Sequence, residues 1–183
     1  MQKRRPEILQ KCYDIVGSKG LESLHARTVA TEMGMNHATI HYYFPKRLDL
    51  LMGVAEHARA QFAADRAKFY EGLGSSSEKA EGELALAEAY CKKQSRFAKV
   101  VLSLYAASIE HAELRKQVLG LYTDWVLALT EALGNAKLRK NTPYSDPELL
   151  AATLLGFMAT AHLTGQKFDA TAKIDAVFES LLA

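Results

Sequence analysis

Residues 26–47 read Ala-Arg-Thr-Val-Ala-Thr-Glu-Met-Gly-Met-Asn-His-Ala-Thr-Ile-His-Tyr-Tyr-Phe-Pro-Lys-Arg, and no other stretch limits the fold as tightly. Val29, Ala30 and Met33 share one face of a short helix. Gly34 can take the positive φ of a tight turn, and Ile40 with Phe44 forms the apolar side of a second helix. The spacing predicts a helix-turn-helix, with helices over 26–33 and 37–43. Helices this short do not hold alone, so Val29, Met33, Ile40 and Phe44 are expected to pack on a preceding helix. Ile8, Leu9, Cys12, Ile15 and Val16 supply its stripe, Pro6 suits its first turn, and Gly20 stops it. The second helix turns Asn36, His37, Thr39, His41, Tyr42 and Tyr43 outward, and such polar and aromatic tips suit phosphates and base edges in a major groove.

Charge follows the same division. Residues 1–50 carry 8 Lys and Arg against 5 Asp and Glu, a net of +3 within a chain whose total is +2. The basic excess therefore lies with the helix-turn-helix, where DNA needs it. Lys3-Arg4-Arg5 ahead of Pro6 reads either as a solvated end or as an arm reaching phosphate or minor groove. No apolar run approaches the roughly eighteen residues of a membrane span. The opening Met-Gln-Lys-Arg-Arg-Pro also lacks the apolar stretch of a signal peptide, so a cytoplasmic protein with no membrane partner is expected.

Beyond the motif the expectation is all-α. A long helix from 46 or 47 to 70 joins the three-helix domain (1–50) to a helical bundle (51–183), giving about nine helices in all. Gly72-Leu73-Gly74-Ser75-Ser76-Ser77 reads as a flexible connection with no phosphate-loop lysine behind it. Helices are expected over 77–94, around Phe97 to Ile109, over 113–133 with a stop at Gly134-Asn135, from Ser145 or Asp146 through Leu163, and over 171–182. Residues 137–144 read as a mobile surface loop. The eighth helix is apolar nearly all round and needs cover on both sides, and the ninth ends the chain on apolar residues. A second subunit is the economical cover for both.

The run Gly34-Met35-Asn36-His37-Ala38-Thr39-Ile40-His41-Tyr42-Tyr43-Phe44-Pro45 is preceded by Arg27-Thr28-Val29-Ala30 and followed by Lys46-Arg47-Leu48-Asp49-Leu50-Leu51. Together they resemble the DNA-binding signature of the TetR (tetracycline-repressor-like) regulators. The resemblance covers residues 6–53. It departs from the family's pattern at His25, where Ser or Thr usually caps a helix, at His41 and Tyr43, where Tyr and His are common, and at Lys46, where Ser or Asn commonly caps the next helix. By resemblance, Arg27, Thr28, Asn36, His37, Thr39, His41, Tyr42, Tyr43, Lys46 and Arg47 meet DNA. Thr39, Tyr42 and Arg47 match phosphate-contacting positions, and Arg27, His37, His41 and Tyr43 match positions that meet base edges or backbone. Either tyrosine could instead close the small core. Imidazoles as a class titrate near pH 6.5, so affinity for DNA is expected to rise as the pH falls through that region.

The resemblance also implies a homodimer through helices 8 and 9, with Leu155, Gly156, Ala159, Leu163, Ile174, Phe178 and Leu181 at the interface, and hence a palindromic operator. It implies a small-molecule effector among helices 4 to 8, where Phe62, Arg66, Tyr90, Cys91, Phe97, Tyr105, Tyr122, Trp125 and His162 are the candidate lining. Arg66 and His162, if they point inward, favour an apolar ligand bearing a polar or anionic group. On that reading the ligand swings helix 4 and releases the operator, which makes the protein a repressor.

No Ser-His-Asp signature, glycine-rich phosphate loop, His-Glu-x-x-His or carboxylate pair at a cleft appears, so an enzyme is not expected. Cys12 and Cys91 lack Cys or His neighbours and read as buried thiols. His37 and His41 lack a third metal ligand, and no cofactor is expected. The rival expectation is a DNA-binding regulator with a filled core, controlled by a protein partner or by its own concentration.

Overall fold

Two glycines set the ends of the first helices. Gly20 has φ 83° and Gly34 φ 60°, left-handed values that a side chain disfavours and that turn the chain out of a helix. The computed structural model describes residues 4–92, 95–134, 136–139, 142–165 and 168–182. Lys3, the helix end at Gln94, the stop at Asn135 and the loop positions 140–141 lie outside them. Among the described residues there are nine α-helices: α1 (Arg4–Lys19), α2 (Ala26–Met33), α3 (His37–Tyr43), α4 (Arg47–Tyr70), α5 (Ser76–Cys91), α6 (Arg96–Glu110), α7 (Ala112–Gly134), α8 (Pro147–Thr164) and α9 (Ala170–Leu181). Short 3-10 turns cover Leu21–Ser23 and Pro143–Ser145. The chain is all-α among those residues, with one isolated β-bridge, Leu138 to Leu182.

Two compact units divide the helices. The first is Met1–Gln61 with Lys99–Leu121, and the second is Phe62–Ala98 with Tyr122–Ala183. A boundary drawn at residue 50 falls inside the first unit, within α4, which gives its later turns to the second.

In the first unit, Ile8, Leu9, Cys12, Tyr13, Ile15 and Val16 of α1 are buried with Val29 and Ala30 of α2, Ile40 of α3, and Phe44. Met33 is only half-buried. From α4 the buried stripe is Leu50, Leu51, Val54, Ala55 and Ala58. Arg4 and Arg5 belong to the first turn of α1, so neither is part of an arm. Arg5 forms a two-pronged ion pair with Glu56, at 3.0 Å and 2.7 Å, and its guanidinium carbon lies 5.7 Å from the centre of the Phe44 ring.

The second unit uses side-chain caps that fix where its helices start. The Ser75 hydroxyl accepts from the Glu78 backbone N–H at 3.2 Å, and the Glu78 carboxylate accepts from the Ser75 N–H at 2.8 Å, a reciprocal cap. The serines are therefore the start of α5 rather than a loose connection, and α5 ends at Cys91, short of the expected 94. Asp146 caps α8 through Glu148 N–H and Leu149 N–H, and Asp169 caps α9 through Ala172 N–H. The described part of 137–144 is pinned rather than loose, because Arg139 donates its backbone N–H to Leu181 O at 2.8 Å and its Nε–H to Leu182 O at 2.7 Å. Leu150, Ala151, Leu154, Met158 and Ala161 of α8 are buried, where α8 packs on α5 and α9. Its other face, at Leu149, Gly156 and Leu163, is exposed.

Candidate nucleic-acid interface

The turn between α2 and α3 is built by backbone and cap together. Gly34 adopts the left-handed conformation, Met35 N–H reaches back to Ala30 O at 2.9 Å, and the Asn36 side chain accepts from Ala38 N–H at 2.9 Å. Asn36 is thus the N-cap of α3, with its side-chain oxygen committed to the helix. Lys46 stands where a capping side chain is usual, and the cap comes from the other direction: Asp49 Oδ2 accepts the Lys46 N–H at 2.7 Å and so starts α4.

With Ile40 at 0% and Phe44 at 3% exposure, α3 is anchored by one face. The opposite face is open: Tyr42 is 71% exposed, His41 is exposed, and His37, Thr39 and Tyr43 are half-buried. The His37 and His41 rings meet edge to face at 4.3 Å, and the Tyr42 and Tyr43 rings do so at 5.2 Å. An open groove of about 730 Å³ is lined by His25, Arg27, Thr28, His37, His41, Lys46 and Arg47, with Lys19, Glu32 and others. Tyr43 lines a separate groove with Arg5 and Pro45. All ten expected contact residues are exposed or half-buried around α3 and its flanks. Of these, Asn36 is partly used as a cap, and Arg47 is tied to the motif's own backbone. Its Nε–H donates to Leu24 O at 3.2 Å and its Nη2–H to Leu21 O at 3.1 Å, with Glu22 at 3.9 Å. These bonds hold the link between α1 and α2.

Within the groove, Lys19 pairs with Glu32, and that ammonium holds the Glu32 carboxyl below the usual carboxylate range. No hydrogen bond or ion pair holds the Arg27 or Lys46 side chain among the described residues. These two cations face solvent beside three histidines, an arrangement that can take the oxygens of a phosphate chain.

Five of the nine expected pocket residues converge in the second unit. Phe62 meets Tyr90 at 5.9 Å, Phe97 at 5.3 Å and Trp125 at 5.8 Å between ring centres, and the Arg66 guanidinium carbon lies 4.2 Å from the centre of the same ring. Arg66 does point inward, but an anion already meets it: Nε–H donates to Glu83 Oε1 at 2.6 Å, and the Tyr70 hydroxyl donates to that oxygen at 2.8 Å. Burial beside this carboxylate pushes the Tyr70 hydroxyl's pKa up. The Tyr90 hydroxyl donates to Asp65 at 3.0 Å. Glu83 and Tyr70 went unmarked in the sequence, although Glu83 stands four and seven residues before the buried Ala87 and Tyr90, on the apolar stripe of α5.

The other four residues stand apart from these contacts. Tyr105 lies in the first unit, beside a hollow of about 10 Å³ that holds at most one water. The Tyr122 hydroxyl reaches Glu148 O at 3.4 Å. Cys91 is buried, its thiol pushed up to about 11 by desolvation. His162 donates through Nδ1 to Met158 O at 2.9 Å. Of the expected interface residues, Leu163 is 86% exposed, Gly156 is exposed, and Leu155, Ala159 and Phe178 are half-buried. Ile174 and Leu181, at 3% and 0%, are spent in the chain's own core, because their spacing on α9 turns them inward.

No family model matches the chain, and no curated protein matches it. Solved structures match throughout its length. A TetR-family member from Streptomyces coelicolor A3 is 21% identical, with 99% of both chains covered and a TM-score of 0.73. A TetR-family transcriptional regulator from a Rhodococcus species is 18% identical, covering 98% of this chain and 97% of its own, again at 0.73. A transcriptional regulator from Saccharomonospora viridis, in complex with choline, is 17% identical, with 98% and 93% covered and a TM-score of 0.69. The fold is that of TetR-type transcriptional regulators.

Proposed function

We propose that this chain, having the fold of TetR-type transcriptional regulators, is itself one: a repressor that binds a palindromic operator as a homodimer and is released by a small-molecule effector. The observation that carries the reading is the two-faced α3, with Ile40 and Phe44 buried and Tyr42, His41 and the Arg27–Lys46 groove open. Phosphate contacts from Thr39, Tyr42 and Lys46 set the register, and Arg27, His37 and Tyr43 read bases. Dimerisation is supported by α8, whose exposed Leu149, Gly156 and Leu163 recur every seven residues. Nothing stands within 4 Å of a Cβ added at Gly156, so a second α8 can approach closely there. A twofold pair sets two copies of α3 about 34–36 Å apart, one turn of B-DNA.

One observation favours the rival, a regulator without a small-molecule ligand. Phe97 stacks nearly parallel on both Phe62 and Tyr90, at interplanar angles of 19° and 24°, as in a filled core. Selection of binding sites from random duplex DNA tests the regulator itself. A palindrome with half-sites one turn apart, and a log affinity that falls with log salt by several phosphates' worth, is the expected result. No enrichment over non-specific binding refutes it. An effector that releases the selected operator then excludes the rival.

A further inference from the structure

Three buried polar atoms about Phe62 have no hydrogen-bond partner among the described residues: Arg66 Nη2, Glu83 Oε2 and Trp125 Nε1. Native interiors rarely leave such atoms unpaired, and each one needs an explanation. The Glu83 side chain is fully buried. Its Oε1 already takes two hydrogen bonds, from Arg66 and Tyr70, while Oε2 takes none. Two N–H donors and one acceptor thus stand open around a cluster of four rings, and Arg66 and Trp125 both meet the same ring.

Charge decides what can complete them. The guanidinium and the carboxylate balance one another, so an anionic ligand would bring a second carboxylate to one cation, and a cationic ligand would do the reverse. Either would leave a buried charge uncompensated, at a large cost in affinity. We propose that Arg66, Glu83 and Trp125 form the polar end of a ligand site for a small neutral molecule, one whose carbonyl-type oxygen accepts from the two N–H groups, whose hydroxyl donates to Glu83 Oε2, and whose flat apolar body lies against the rings. This inference rests on reading the second unit as an effector-binding domain. Of the polar or anionic group that Arg66 and His162 suggested, it keeps the polar one and drops the anionic one.

The chain has one tryptophan, so emission of the full-length protein reports on Trp125. Three probes share a ring and differ in charge: neutral 4-hydroxyacetophenone, anionic 4-hydroxybenzoate and cationic tyramine. At about pH 6.5 the first should bind at least about tenfold more tightly than either charged probe, since each charged probe buries an unmatched charge. Glu83→Gln leaves Arg66 unopposed and should move the preference to 4-hydroxybenzoate, and Arg66→Gln should move it to tyramine. The double variant, neutral again, should return to 4-hydroxyacetophenone, and it keeps the test decisive if a single variant fails to fold. A wild-type preference for either charged probe overturns the proposal. So does emission unmoved by all three at millimolar concentration, since Arg66 Nη2 and Glu83 Oε2 would then simply close on each other as core. The DNA selection separates the two failures: a protein that enriches a palindrome but ignores the probes refutes only the ligand site, and one that takes the neutral probe but enriches no DNA refutes only the regulator.

Discussion

A Cβ placed on Gly53 would lie 2.3 Å from Leu9 Cδ2 and 3.3 Å from Phe44 Cε1, so α1 and α4 meet at a distance that only glycine permits. Leu9 and Phe44 are themselves buried, at 4% and 3% exposure, and have little room to give. Gly53→Ala should destabilise the protein by about 1–3 kcal/mol, the usual cost of overpacking. Urea unfolding measures it, and an unchanged midpoint would mean that α1 yields freely.

His57 lies one turn of α4 beyond Gly53. Its ring packs on Tyr13 at 5.1 Å, its Nε2 is buried without a partner among the described residues, and desolvation holds its pKa below the ordinary histidine value despite the nearby Asp14 and Glu56. The unfolded chain therefore takes the proton more readily than the folded one. Stability from this site is complete above about pH 6.5 and falls as pH drops through the lowered folded value. His57→Gln should flatten that part of the curve. A wild type and variant with parallel stability between pH 7.5 and about 5 would show that the site does not titrate with folding.

Arg27 and Arg47 should separate by assay. The Arg27 side chain makes no internal bond among the described residues, so Arg27→Ala should leave stability alone. If it reads a base, the cost in operator affinity is about 1–3 kcal/mol with relaxed specificity. Arg47→Ala removes the donors to Leu21 O and Leu24 O, so it should lower the unfolding midpoint as well as DNA affinity. Equal stability of the two variants would contradict this division.

Glu83 and Arg66 are a buried pair, with 0% and 13% of their side chains exposed. Glu83→Ala leaves a guanidinium uncompensated beside Phe62 and should cost about 3–5 kcal/mol, whereas removing both charges together should cost less than the sum of the single changes. A double-mutant cycle by chemical denaturation gives the coupling, and strict additivity would show that the pair contributes nothing.

Leu163, 86% exposed, should be tolerated as Glu in the stability of the single chain and yet abolish the proposed homodimer. Sedimentation of Leu163→Glu beside the wild type measures this. A dimer that survives the change would place the interface elsewhere than on α8.

The sequence by itself determined what short-range physics controls. Helix spacing placed α2 and α3 to the residue, because Gly34 must turn and Phe44 precedes a proline. The Asp146-Pro147 start of α8 was legible for the same reason. The reciprocal Ser75–Glu78 cap was present as a spacing signal but was masked by the run of glycine and serine around it. Only the tertiary structure decided which partner each long polar side chain found. Arg66 showed as a polar residue on an apolar stripe, but Glu83, seventeen positions away on another helix, neutralises it, and so the arginine alone no longer argues for an anionic ligand. Arg47 showed as a phosphate contact, yet two carbonyls more than twenty residues upstream hold it. Ile174 and Leu181 showed as apolar residues in need of cover, and the chain's own core supplies that cover. Periodicity fixes which face of a helix a residue occupies, but what that face meets depends on packing between segments distant in the chain.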